Sequence, residues 1–142
     1  MSKNELENLA KIGQLKAEAP SRDEFEGMTR SAKKRLADAQ KTTLAPESRF
    51  DLAYNAAHGF ALAALRREGY RSENRFLVFQ CLSHTVDGIE QADVRIFSKC
   101  HDARNLAEYE GYTEVDERLL AELIKCTVEL ERVVLRLAPP PG

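Results

Sequence analysis

The chain has 142 residues, 43% hydrophobic and 31% charged, a length that suits one domain, since about 150 residues bury roughly two-thirds of their unfolded surface. With 21 basic and 23 acidic side chains its formal charge is −2, which excludes a protein that coats nucleic acid through bulk positive charge, though not a small basic cleft. Few helix breakers and many Ala, Leu, Glu, Lys and Arg favour helix over sheet.

Two capping boxes, Ser2-Lys3-Asn4-Glu5 and Ser21-Arg22-Asp23-Glu24, predict helix starts, each hydroxyl accepting from a free N–H while the Glu reaches back. The first helix carries Leu6, Leu9, Ile12 and Leu15, and Pro20 separates it from the second, with Phe25, Met28, Ala32, Leu36 and Ala39 on one stripe and Lys33, Lys34 and Arg35 in solvent. Both are amphipathic and are expected on the outside, either completing the bundle or bracing one side. Pro46 suits the first position of a third helix running to about Glu68, with Gly69 as left-handed cap. Phe50, Ala53, Tyr54, Ala57, Phe60, Ala61, Ala64 and Leu65 make it apolar over much of its girth, which places it at the centre. A fourth helix is expected over Glu73 to His84, with Phe76, Leu77, Phe79 and Cys81 inward. A fifth runs from about Ile89 to Glu110, on a stripe of Ile89, Ala92, Ile96, Cys100, Ala103 and Ala107, and ends at Gly111. The sixth starts at Thr113 and runs to about Leu137, with Leu119, Leu120, Leu123, Ile124, Val128, Val134 and Leu135 inward. The reading is an all-α, antiparallel four-helix bundle over 46–137, with one or two extra N-terminal helices in 1–44 and a flexible Pro-rich tail at 138–142.

Three dispersed cysteines, Cys81, Cys100 and Cys126, read as buried free thiols rather than a disulfide framework. The opening residues lack a signal-peptide pattern, and the longest apolar run, Gly59 to Leu65, is far shorter than the roughly 20 residues of a membrane span. A cytoplasmic protein without a membrane partner is expected. His58, His84 and His101 are the only histidines and form no zinc or di-iron motif, so neither metal nor cofactor is expected.

Two polar clusters stand out. Asp51, Asn55 and His58 step by four and three along the otherwise apolar third helix, a strip either exposed through a gap in the bundle or hydrogen-bonded and used. On the fifth helix, His101, Asp102, Arg104, Asn105, Glu108, Tyr109 and Glu110 crowd together. At about 100° per residue, Arg104 edges the buried stripe and needs an acceptor, either Glu108 one turn on or a group on another helix, while His101, Asn105 and Tyr109 share an outward face.

The segment Asp102-Ala103-Arg104-Asn105-Leu106-Ala107-Glu108-Tyr109-Glu110-Gly111, with Leu52-Ala53-Tyr54-Asn55-Ala56-Ala57-His58 before it, resembles the HEPN superfamily (higher eukaryotes and prokaryotes nucleotide-binding), over about Pro46 to Leu137. The resemblance implies a four-helix bundle, commonly dimeric. It also implies a place among metal-independent ribonucleases of toxin–antitoxin and defence systems, or among their inactive binding relatives. The family's nuclease motif, an Arg, a polar residue and, further on, a His, is matched by Arg104 and Asn105, but Tyr109 occupies the His position. A second alignment, Arg95 to His101, has apolar Ile96 after the Arg. Residues five apart diverge by about 140° on a helix, so Arg104 and Tyr109 converge only if the helix bends or a second copy shares the cleft. The expectation is a homodimer binding RNA or a nucleotide through Arg104 and Asn105, with Asp51, Asn55, His58 and Glu108 as ligand contacts. Ribonuclease activity is expected to be weak or absent because Tyr109 is a poor base. The alternatives are an active ribonuclease using His101 or His58, and a non-catalytic module binding a protein such as a cognate antitoxin.

Overall fold

The computed structural model describes residues 3–111 and 115–141, with the side chains of residues 3 and 108–110 outside the description. Its helices are α1 (Lys3–Lys11), α2 (Arg22–Ala39), α3 (Pro46–Arg67), α4 (Arg75–Gln80), α5 (Leu82–Thr85), α6 (Gln91–Glu110) and α7 (Glu117–Leu135). Between them lies a two-residue ladder, β1 (Lys16–Ala17) antiparallel to β2 (Tyr70–Arg71), which is too short to show as alternation in sequence. The protein is an all-α helical bundle with this one small sheet.

Helix ends follow the chemistry of their residues. Ser21 Oγ accepts from Glu24 N at 3.2 Å, but the Glu24 carboxylate, expected to close the capping box, turns instead to Arg66 and Arg71. Pro46 opens α3, and Gly69 follows it at φ +91°. Gly111 caps α6 at φ +82°, donating to Ala107 O at 2.9 Å. Asp116 caps α7, whereas the expected starts at Ser2 and Thr113 lie outside the described residues.

Ion pairs and contacts fix the helix directions. Arg66 meets Glu24 while Arg49 Nε donates to Ala39 O, so α2 and α3 are antiparallel. Tyr54 meets His101 and Asp51 meets Arg104, so α3 and α6 are antiparallel. Cys126 donates to Asp93, and a Cβ on Gly88 would sit 3.2 Å from Val133, which sets α7 against α6. The four long helices therefore alternate in direction, with α3 packed against both α2 and α7. At the α2–α3 crossing Gly59 leaves room for Ala32, whose Cβ would lie 3.2 Å from an added Cβ. The second helix thus completes the bundle, while α1 packs against α5.

Tyr54, Phe60, Phe79, Phe97, Leu65, Leu123 and Leu130 are fully buried in one core. Several stripes are rotated from the expected phase. Among the described side chains of α6 the buried ones are Val94, Phe97 and Cys100, while Ala92 is exposed. On α7, Cys126, Thr127, Leu130 and Val133 face inward, with Val128 and Leu135 exposed. The expected fourth helix breaks at Cys81 into α4 and α5. Phe79 wedges between Tyr54 (5.9 Å) and Phe97 (5.2 Å), and this phase leaves Phe76 outside. Ile12 lies past the end of α1 and is exposed. The Pro-rich tail, expected to be flexible, is docked: Arg67 Nε donates to Ala138 O at 2.6 Å and Pro140 is buried. No helix among the described residues is long and apolar enough to cross a membrane.

Candidate functional site

The two polar clusters, distant in sequence, meet where α3 faces α6, and α4 packs against both helices. Tyr54 sits at the centre. Its ring is fully buried against Phe79, and its hydroxyl is hydrogen-bonded to His101 Nδ1 at 2.9 Å. Two guanidiniums lie over the ring, Arg104 from α6 at 5.2 Å and Arg75 from α4 at 5.5 Å. A cation near an aromatic face is attracted by the ring quadrupole, more strongly where water is excluded. Burial raises the Tyr54 pKa, against the opposing pull of Arg75 and Arg104, so the phenol stays protonated at neutral pH.

The strip on α3 supports those cations. Asp51, largely exposed, pairs with Arg104 Nε at 3.5 Å, and Asn55 Oδ1 accepts from Arg75 Nη1 at 3.1 Å. Asn55 Nδ2 donates back to Asp51 O at 2.9 Å, which fixes the amide orientation. Asp51 is thus an acceptor for Arg104 from another helix. His58, one turn further, is half-buried edge-on to Phe79 at 6.1 Å. Burial first, then the positive charges of Arg75, Arg104 and His101, push its pKa down to about 4, so it is neutral at pH 7.

His101 was expected on an outward face with Asn105 and Tyr109. It turns instead toward α3, because the buried stripe of α6 runs Val94–Phe97–Cys100 and His101 and Arg104 continue it one turn on. Both ring nitrogens are engaged, Nδ1 by Tyr54 and Nε2 by the exposed Asn105 amide at 3.1 Å. With Asn105 donating to Nε2, Nδ1–H donates to Tyr54 Oη. The other tautomer needs the Asn105 amide reversed. Glu108 and Tyr109 lie on α6, and their side chains fall outside the described ones.

Of the residues singled out in sequence, Asp51, Asn55, His58, His101, Arg104 and Asn105 thus come together. Sequence reasoning placed Tyr54 in the core and missed its hydroxyl, and missed Arg75 altogether. Arg75 follows the α4 N-cap Asn74, a position with no periodic signal. Arg95 is exposed on the first half of α6, outside this cluster. Among the described residues no group of three His, Cys, Asp or Glu side chains is placed to hold a metal ion.

Among the described side chains the arrangement offers two guanidiniums over one protonated phenol, two imidazoles and the largely exposed carboxylate of Asp51. Such a set favours an anion with several oxygens, since an Arg donates through a planar fork. No protein-family model, curated protein or solved structure matches the chain.

Proposed function

We propose that this protein binds RNA or a nucleotide by a phosphate held at Arg75 and Arg104, works as a homodimer, and cleaves RNA weakly or not at all. The convergence of both guanidiniums on the Tyr54 ring carries this reading. The resemblance of the Arg104–Asn105 segment to the HEPN superfamily supplies the ligand class. The homodimer rests on the divergence of Arg104 and Tyr109 along α6, and exposed Leu106 beside Asn105 offers an apolar contact for the second copy.

Metal-independent cleavage needs one group to take the 2′-hydroxyl proton and another to protonate the leaving oxygen. His58, with a pKa of about 4, is not an imidazolium at pH 7 and so is no general acid, and the same low value makes it a weak base; both His101 nitrogens already have partners. Tyr109 stands at the motif's His position, and a phenol is a poorer base than an imidazole at neutral pH. Binding survives such a site while chemistry is lost.

A second reading, an active ribonuclease, draws on the position of His101 one turn before Arg104 on the same face. There His101 moves the proton and Arg104 stabilises the developing phosphate charge. Titration of labelled RNA, with cleavage products mapped, tests both readings. Arg104→Ala and Arg75→Ala are each expected to weaken binding about tenfold or more, the scale of a lost hydrogen bond to a charged group. Absence of any RNA or nucleotide binding sinks the proposal. Robust metal-independent cleavage, abolished by His101→Ala and Arg104→Ala, replaces it with the second reading.

A further inference from the structure

Phe76 is an aromatic side chain of this site that the core leaves outside. It is 44% exposed, follows Arg75 directly in sequence, and its ring lies 6.3 Å from that of His101 at 49°. The next two residues but one explain the exposure: Val78 and Phe79 are fully buried, so the phase of α4 directs Phe76 away from the core. An aromatic in solvent costs hydration free energy, and here it lies against His101, whose ring is bonded to the Tyr54 hydroxyl under the two guanidiniums. A flat exposed ring next to fixed cations is the combination that single-stranded nucleic acid uses, with a base on the ring and its phosphate on the charge.

We propose that Phe76 is the stacking platform for one unpaired base of a single-stranded RNA, whose adjoining phosphate lies at Arg75 and Arg104. This rests on the phosphate reading of the site and adds the ligand's form: a strand with unstacked bases, not a duplex. A paired base has both faces covered by its neighbours and offers none to Phe76. Asn105 is exposed and bonds the same His101 ring that Phe76 lies against, which brings an amide to the neighbourhood of the stacked base. Stacking is tolerant of base identity, so preference among bases is weak while preference for single strands is strong.

The test is fluorescence anisotropy of the full chain with labelled octaadenylate and with an abasic RNA octamer of equal length and charge. Light scattering and thermal melts accompany each variant. Phe76→Ala is expected to weaken octaadenylate binding on the order of tenfold and to leave the abasic octamer unchanged. Phe76→Trp restores the loss, and Arg104→Ala weakens both ligands. If Phe76→Ala leaves octaadenylate affinity unchanged while Arg104→Ala lowers it, stacking is wrong and the phosphate site stands. If the unaltered protein binds neither octamer, the phosphate reading fails and takes this inference with it. Equal loss of both octamers in Phe76→Ala, accompanied by dissociation of a dimer, makes Phe76 an interface residue and overturns the proposal. So does adenosine monophosphate that competes as strongly as the octamer, which makes a free nucleotide the ligand.

Discussion

Replacing Arg66 with Ala removes the only charged side chain buried in the described core, at 2% exposure. Its guanidinium reaches Glu24 Oε1 at 2.7 Å and three carbonyls, Ala19 at 2.8 Å, Glu18 at 3.0 Å and Tyr70 at 3.4 Å. The Glu18 carboxylate adds a pair at 3.4 Å, and Arg71 bridges both carboxylates from β2. One side chain thus ties the β1 segment and the start of α2 to the end of α3. Breaking a buried pair costs about 3–5 kcal/mol when the partner is stranded. Here Glu24 keeps Arg71 and the Glu18 and Ala19 carbonyls lie at partly exposed positions that water can reach, so the lower end, about 3 kcal/mol, applies. At about 2–4 °C per kcal/mol for a chain of this size, Tm should fall by roughly 10 °C. Arg66→Lys keeps the charge but not the planar fork, and is expected to recover part of the loss. The network also shapes acid stability. Burial alone would raise the Glu24 pKa, but Arg66 and Arg71 hold it below the ordinary 4.5. Its contribution is therefore intact above pH 4.5 and is lost as pH falls through the lower folded value. Arg66→Ala should weaken that acid dependence. Circular dichroism melts read both effects, and a Tm within about 2 °C of the parent would refute the assigned role.

His58 should titrate near 4, so its imidazole resonances should hold their neutral positions from about pH 8 to about pH 5. Because the folded value lies below the ordinary 6.5, stability from this residue is intact above 6.5 and declines as pH falls toward 4, and a mid-point near 6.5 contradicts its burial. Burial pushes the thiols of Cys81 to about 11 and of Cys100 and Cys126 to about 12, so a thiol reagent at about pH 8 should find none of the three until denaturant is added. Arg104→Ala should weaken RNA binding about tenfold or more while Arg95→Ala leaves it within about twofold, and equal losses would move the site to the first half of α6.

The fold was legible wherever helix signals were local. Ser21, Pro46, Gly69 and Gly111 mark their helix ends by their own chemistry, and the density of Ala and aromatic residues in α3 reveals its central place. The phase of α4, α6 and α7 was not, because Ala, Cys and Thr fill core and boundary positions alike, and Val94 and Phe97 against Ala92 and Ile96 give two stripes of similar strength. Arg66 was invisible for a related reason: nothing in a run of Arg66, Arg67 and Glu68 shows that one Arg turns inward to meet carboxylates over 40 residues away. In the site, spacing of Asp51, Asn55 and His58 exposed one strip and crowding around Arg104 the other. Their meeting depends on the antiparallel placement of α3 and α6, and the turn of His101 toward Tyr54 depends on the rotated stripe. Arg75 and Phe76 come from a six-residue helix, too short for periodicity to speak.

The central claim is that a phosphate is held between Arg75 and Arg104 over Tyr54. Its most direct measurement is a titration of single-stranded RNA followed by NMR of the arginine Nε–H, histidine ring and lysine side-chain signals. The account predicts that Arg75 and Arg104 move first and saturate together, with the His101 ring following and the exposed Lys33-Lys34-Arg35 face of α2 unmoved. Perturbation confined to that α2 face, with Arg75 and Arg104 unchanged, would show non-specific charge binding and contradict the claim.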